Sequence, residues 1–398
     1  MQETKYPASG LRIAMDGRSL SSKVLRGWDR YTVGLVRTLV QNGVEVDLFR
    51  RADAALEQCH VDDLGCGVVP LRDLGGLYWE QIAVPLALKK GRYDLYHAPA
   101  EHGVPLLAPC PVVLTLHSAT RHSYEDMIRT GRLDKSIEEY LGYDPKNVSR
   151  FAHWYLDRQW RTADHILTPS AFARDEVIQY LGISSDRVTA THLAVDPQFT
   201  RTSTPQYSSA VITALSLRSP YVLCVGGYER HKNVLGVLHT FGLALEKCPE
   251  LNLVMVGSGS VPAFVQTEIA ALGAKVASQI TLLCNVREDL PAIYDHAELL
   301  LSLSWRETFC LPILEAFSRG IPVVASAWGA SPEVAGHVGA LVDPRDIYAA
   351  RDTVVDMLRS NRKMELGPLM RAQAAKFTWK KTCFRTMEVY ERVVRRPN

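Results

Sequence analysis

The stretch SWRETFCLPILEAFSRGIPVVAS, residues 304–326, decides how this chain folds. It follows the apolar run LLLSLS (299–304) and leads into a second one, PVVAS (322–326). Pro312 suits the first position of a helix and Gly320 suits its stop, so the spacing predicts a helix from about Pro312. Strand, helix and strand of these lengths make a parallel crossover. Glu307 then lies in the loop before the helix, and Glu315 within its first turn or so. The N–H groups of Phe309, Cys310 and Leu311 would be free at the helix N-terminus, which is a ready anion site.

A carboxylate does not bind phosphate, but it accepts strongly from hydroxyls, and a vicinal diol presents two. Glu307 and Glu315 on either side of an anion site therefore suit a ligand with phosphate in the middle and hydroxyls at both ends, as in a nucleotide sugar. The plainer reading is that Glu315 complements the helix dipole and Glu307 is solvated.

The same strand–helix rhythm runs through all 398 residues. LRIAMD, VEVDLFR, YDLYHAP, PVVLTLHS, ADHILTPS and RVTATHLAVD read as strands in the first half, with helices such as RYTVGLVRTLVQNG and AFARDEVIQYLG between them. PQFTRTSTPQYSSAVITALSLRSP (197–220) is rich in Ser, Thr and Pro and reads as a linker. A second series follows, with strands YVLCVGG, LNLVMVGSG, ITLLCNV, LLLSLS and PVVAS. The length supports two domains. The expected fold is α/β: two Rossmann-like doubly wound domains, residues 1–200 and 205–377, facing each other across a cleft. In such sheets ligands bind at the carboxyl ends of the strands. The loops that matter are those after Asp16, Pro99, His117, Gly227, Gly257, Asn285 and Ser304.

Composition narrows the function. Hydrophobic residues are 47%, charged residues 22% and the net charge is +2, so no nucleic-acid footprint exists. Any anion must be held by a local cluster. The eight cysteines are scattered without a CxxC pair and read as reduced thiols. No DxD-type metal pair stands out. MQETKYPASG lacks the apolar core of a signal peptide, and VPLLAPCPVVLTL is proline-broken and too short to span a bilayer, so a cytoplasmic location is expected.

The loop GGYERHKN (226–233) places Gly226 and Gly227 before Arg230, His231 and Lys232 at a strand end. Flexible backbone with fixed cations is what a diphosphate needs, although a solvated charge run looks similar. The loop is not a P-loop, because GxxxxGK[ST] is absent. GSGS (257–260) adds a weaker glycine signal at Gly257.

In order and spacing, GGYERHKN, LVMVGSG, the run from Ile280 to Ser326 and SPEVAGHVGALVDPRD resemble the donor-binding half of family 4 glycosyltransferases, which have the GT-B architecture. RIAMDGRSL, RGWDRYT, DLYHAP, VVLTLHS and ADHILTPSAFARDEV resemble the first half. FTWKKTCFRTMEVYERV resembles the closing helix (about 378–398) that returns to the first domain. The resemblance implies a retaining, metal-independent transferase that needs no cofactor. It would move a hexosyl group, mannosyl or similar, from a nucleoside diphosphate sugar to a saccharide or lipid-linked acceptor in surface polysaccharide synthesis. The alternatives are a sugar phosphorylase or synthase on the same scaffold, or a sugar-binding protein without catalysis.

The resemblance also implies roles. Lys232 and Arg230 would hold the diphosphate, Glu307 would face the transferred sugar, and Glu315, matching the EX7E pair, would take the ribose diol. Asn285 and Val286 would line the base pocket. The family often carries Arg where Gly227 stands and Gly where Cys310 stands. Gly27 would let the first loop approach donor and acceptor, with Trp28 and Asp29 either meeting the acceptor or serving as a packed aromatic and a helix cap. His117 would orient the sugar or handle a proton, or serve a structural role. Residues 121–150 form a long polar segment. The helix after it, with Arg150, Trp154, Arg158, Trp160 and Arg161, would face a membrane or acceptor, or pack on its own domain.

Overall fold

The computed structural model describes residues 10–21, 27–53, 63–117, 119–133, 150–201, 203–359 and 362–395. The described residues separate into two compact units, those within 10–133, 150–193 and 378–395 in the first and those within 194–377 in the second.

The first unit carries a seven-stranded sheet of β1 (Arg12–Asp16), β2 (Glu45–Arg51), β3 (Gly67–Leu71), β4 (Leu95–Ala98), β5 (Val112–Thr115), β6 (His165–Thr168) and β7 (Val188–Ala190). All neighbours pair parallel in the order β3-β2-β1-β4-β5-β6-β7. β4, β5 and β6 are buried on both faces, as helices on each side of a parallel sheet require.

The second unit repeats this order with six parallel strands, β10-β9-β8-β11-β12-β13. They are β8 (Tyr221–Val225), β9 (Asn252–Gly257), β10 (Ile280–Cys284), β11 (Leu299–Ser302), β12 (Val323–Ser326) and β13 (Ala340–Val342). The strand order reverses between β8 and β11, and a ligand crevice forms at such a switch point.

Three expectations change. β3 and β13 are strands that the sequence reading did not assign. The supposed linker contains the helix Pro205–Ala214, capped by Thr204, whose hydroxyl accepts from the Tyr207 N–H at 3.3 Å. The helix after β11 begins at Leu311, within one residue of the expected start at about Pro312. The helix after residues 22–26, which lie outside the described residues, begins at Gly27, so Asp29 sits inside the first turn rather than at the cap.

The closing helix, Trp379–Val394, belongs to the first unit. A Cβ at Gly34 would stand 2.4 Å from the Trp379 ring, so only glycine lets the two helices approach this closely. Deeper in the same unit, His97 Nδ1 and the Tyr390 hydroxyl are 2.6 Å apart, and His97 Nε2 and Thr115 Oγ1 are 2.7 Å apart.

Candidate active site

The candidate residues fall into two groups, one in each unit. In the second unit the loops after β8 and β11, the strands of the switch point, converge on one carboxylate. After β8 the backbone turns through Gly226 (φ 135°) and Gly227 (φ 106°), conformations that side-chain-bearing residues rarely adopt. It then forms a single 3₁₀ turn, Arg230–Lys232. Asn233 caps the next helix, its side chain accepting from the Gly236 N–H at 3.2 Å. The turn is tied to the second loop by the Trp305 N–H, which donates to the His231 carbonyl at 3.0 Å.

Lys232 Nζ lies 2.8 Å from Glu307 Oε1, and the Ser304 hydroxyl donates to the same oxygen at 2.8 Å. Both charged side chains are mostly buried. Burial alone would lower the Lys232 value, but the Glu307 carboxylate beside it holds it above the ordinary lysine range. Burial likewise pushes Glu307 up, and Lys232 and Ser304 more than offset this, leaving it below the usual carboxylate range. Both groups are charged at neutral pH.

The Glu307 backbone is pinned as well. Its carbonyl accepts from the Ala330 N–H at 2.9 Å, and a Cβ at Gly329 (φ 69°) would stand 2.6 Å from that carbonyl oxygen. Ser304 and Gly329 were not singled out in the sequence.

Glu315 is one turn into the helix Leu311–Arg319 and buried. Its Oε2 accepts from the Tyr294 hydroxyl at 2.8 Å. Tyr294 is buried in the short helix Leu290–His296, with the Phe199 ring edge-on at 5.5 Å. Nothing in LPAIYDH marks this tyrosine as a partner of a carboxylate 21 residues later.

Cys310 precedes the helix in a left-handed conformation, φ 68° and ψ 67°. Glycine suits such a position without strain. The Cys310 sulfur sits 3.7 Å from the Ser302 hydroxyl, and burial, reinforced by Glu307, pushes the thiol up to about 12, so it stays protonated. Phe309 is buried edge-on against Phe377 at 5.7 Å. Leu311 opens the helix with an N–H, whereas Pro312 has none.

Asn285, also left-handed, joins the loops after β9 and β10. Its N–H donates to the Gly257 carbonyl at 2.9 Å, and its side-chain oxygen accepts from the Gly259 N–H at 2.9 Å. Val286 beside it is half-buried. Gly257 leaves room for the Tyr228 ring, which a Cβ would meet at 2.4 Å. The Arg230 guanidinium lies over the Phe264 ring, 4.1 Å from its centre.

In the first unit His117 is buried just beyond β5. Its Nε2 lies 3.0 Å from the Pro99 carbonyl, which can only accept, so Nε2 carries the proton and Nδ1 does not. Burial pushes its value down to about 4, with the Pro99 bond opposing, so the ring is neutral at pH 7. Tyr31 packs edge-on at 5.3 Å. Gly27 is exposed, and a Cβ there would meet no protein atom within 4 Å. Trp28 is half-buried and Asp29 buried.

Of residues 121–150, positions 134–149 lie outside the described residues. The following helix, Arg150–Thr162, is divided. Trp160 is buried with its indole N–H on the Glu101 carbonyl at 2.9 Å, while Trp154, Arg158 and Arg161 are exposed. Among the described residues no helix is long and apolar enough to cross a membrane, and no group of three His, Cys, Asp or Glu could hold a metal ion.

Comparison with known proteins bears on the family and the fold. Residues 25–199 match the family model described as Glycosyltransferase Family 4, and residues 210–374 match Glycosyl transferases group 1. The chain is 31% identical over 261 residues to the O-antigen chain mannosyltransferase B of Escherichia coli, covering 65% of this chain and 68% of that one. It is 27% identical over 325 residues to the MMP alpha-(1->4)-mannosyltransferase of Mycolicibacterium hassiacum, covering 78% and 73%. The crystal structure of Anabaena HepE in complex with UDP superposes with a TM-score of 0.72 at 17% identity, covering 96% of this chain and 100% of that one. Two parallel sheets of one strand order, with a closing helix returned to the first, define a GT-B α/β protein. The chain belongs to glycosyltransferase family 4, and it is a glycosyltransferase enzyme.

Proposed function

We propose that the protein transfers a mannosyl group, with retention, from a nucleoside diphosphate sugar to a saccharide hydroxyl, free or lipid-linked, in the assembly of a surface polysaccharide. The mannosyl assignment is supported by two relatives named as mannosyltransferases, one of an O-antigen chain. The nucleotide is supported by a structural neighbour crystallised with UDP. The observation that carries the reading is the meeting of Lys232, Ser304 and Glu307 at the ends of β8 and β11.

In this reading one ammonium proton of Lys232 stays on Glu307, and the other two serve the donor diphosphate. The N–H groups of Phe309, Cys310 and Leu311 are the other diphosphate donors. Glu307 Oε2 accepts from the sugar hydroxyls, and the second oxygen of Glu315 accepts from the ribose. Arg230, Gly226, Gly227 and Gly257 shape the diphosphate side, and Asn285 and Val286 the base side. The C1–phosphate bond breaks, the acceptor oxygen bonds to C1 on the same face, and the acceptor proton passes to a departing phosphate oxygen. Lys232 stabilises the negative charge that grows on that phosphate by being in place beforehand. Neutral His117 offers Nδ1 as an acceptor to a hydroxyl. No metal or cofactor enters this scheme, and the reaction is placed in the cytoplasm.

The test is a panel of nucleoside diphosphate sugars incubated with the full chain and saccharide acceptors, with products read by mass and by NMR of the new linkage. Transfer from a mannosyl donor with retained configuration is expected. An inverted product, or no transfer from any mannosyl donor, overturns the assignment.

A further inference from the structure

Residues 76–91 of the first unit form one continuous helical segment, Gly76–Tyr78, a π turn over Trp79–Ala83, and Val84–Gly91. The π turn holds five residues, closed by the Val84 N–H on the Trp79 carbonyl, and so shifts the helical register. One consequence lies inward. Trp79 and Glu80 join Val84 and Leu88 on the buried side, and Glu80 accepts from the Gly103 N–H (3.1 Å), the Tyr155 hydroxyl (3.0 Å) and Gln159 (2.7 Å).

The other consequence lies outward. Leu77 and Ile82, which an uninterrupted α-helix would splay apart, come onto one face with Leu86. They are 57%, 46% and 64% exposed, and Leu74 just before the segment is 59% exposed. Four exposed cations border this stripe: Arg72, Lys89, Lys90 and Arg92. Of the nearby acids, Asp73 pairs with Arg18, Glu80 turns into the interior, and the exposed Asp94 beyond Arg92 accepts from the Arg12 N–H at 2.7 Å. Beside the stripe runs an open groove of about 790 Å³, floored by Val69, Leu71 and Ala87, with Arg72, Lys90 and Arg92 on its margin.

We propose that this face docks on a bilayer that contains anionic phospholipids. The stripe enters the headgroup–acyl boundary, the four cations meet lipid phosphates, and the groove takes a phosphate headgroup. An aliphatic stripe rimmed by lysine and arginine is the pattern of an interfacial helix. Protein interfaces favour aromatic residues and are poor in lysine, and a second copy of the same face would bring four cations against four. The surface differs from the Trp154, Arg158 and Arg161 face considered from the sequence.

The full chain is tested by co-sedimentation with vesicles of phosphatidylcholine alone and of phosphatidylcholine mixed with phosphatidylglycerol. Binding to the mixed vesicles is expected, weakening as salt rises. Lys89→Glu/Lys90→Glu and, separately, Ile82→Ser/Leu86→Ser should each reduce that binding by about tenfold or more, with unchanged melting temperatures because all four positions are exposed. Absence of binding to the mixed vesicles, or an unchanged affinity in either variant, overturns the proposal. So does a dimer in light scattering that Ile82→Ser/Leu86→Ser dissociates, since a second copy would then cover the face.

Discussion

Lys232 and Glu307 stand 75 positions apart in sequence and 2.8 Å apart in space, at the ends of the two strands where the sheet reverses its order. Removing either charge leaves the other mostly buried and unpaired. Lys232→Met and Glu307→Gln should each lower stability by about 2 kcal/mol or more and slow transfer by about a hundredfold or more. The double variant should recover most of the stability while remaining inactive, because the two losses share one cause. Urea unfolding of the three variants checks this, and losses that simply add would contradict it.

Acid should weaken the first unit before it affects the ion pair. Burial, with a smaller contribution from His117, pushes His97 down to about 3, and burial pushes His117 down to about 4. Unfolded histidine takes up a proton near 6.5, so below that pH the unfolded chain binds protons that the folded chain refuses. Stability should fall as pH drops through 6.5, by up to about 1.4 kcal/mol per pH unit for each histidine. Glu307, held low, adds stability above its unfolded value that is lost as pH falls through its folded one. Lys232, held high, adds stability below 10.5 that is lost as pH rises through its folded value. Unfolding at pH 7 and pH 5 should show a clear drop, and His117→Gln should show a shallower slope, with His97 and the likewise lowered His231 keeping the rest. A flat profile would count against these histidines being held neutral by burial.

Cys310 occupies backbone space that glycine takes freely. Cys310→Gly should leave stability within about 1 kcal/mol, the relief of the left-handed backbone offsetting the lost side chain. Cys310→Val, β-branched at φ 68°, should lose about 2 kcal/mol or more. The order of the two midpoints in urea is the readout, and equal midpoints would remove the backbone from the explanation.

Tyr294 acts on Glu315 through one hydroxyl. Tyr294→Phe should cost about 1–2 kcal/mol of stability and weaken donor binding by about tenfold, while kcat at saturating donor changes little. Titration calorimetry and steady-state kinetics separate the two effects, and an unchanged donor affinity would make the contact purely structural.

Much of the fold was legible because parallel strands buried on both faces are written as unbroken apolar runs, as in β5 and β11. β3 escaped because GVVPL is a mostly exposed edge strand interrupted by Pro70, and β13 because it spans three residues. The helix Pro205–Ala214 was hidden by its Ser and Thr content, although Thr204 before Pro205 is a readable start signal. At the site, motif residues could be numbered but not paired. The Lys232–Glu307 bond, the Tyr294 hydroxyl on Glu315 and the π turn that aligns Leu77 with Ile82 depend on contacts or register that spacing does not encode.

The return of the closing helix to the first unit also sets an order of assembly. On a ribosome, the second unit is finished by Phe377, before Trp379 and Tyr390 emerge. The first unit must wait, with Gly34 uncovered and His97 lacking its phenol, until residues 379–394 have emerged. Translation therefore favours completing the nested second unit first, and a nascent chain stalled short of residue 379 would present an unfinished first unit to chaperones and proteases.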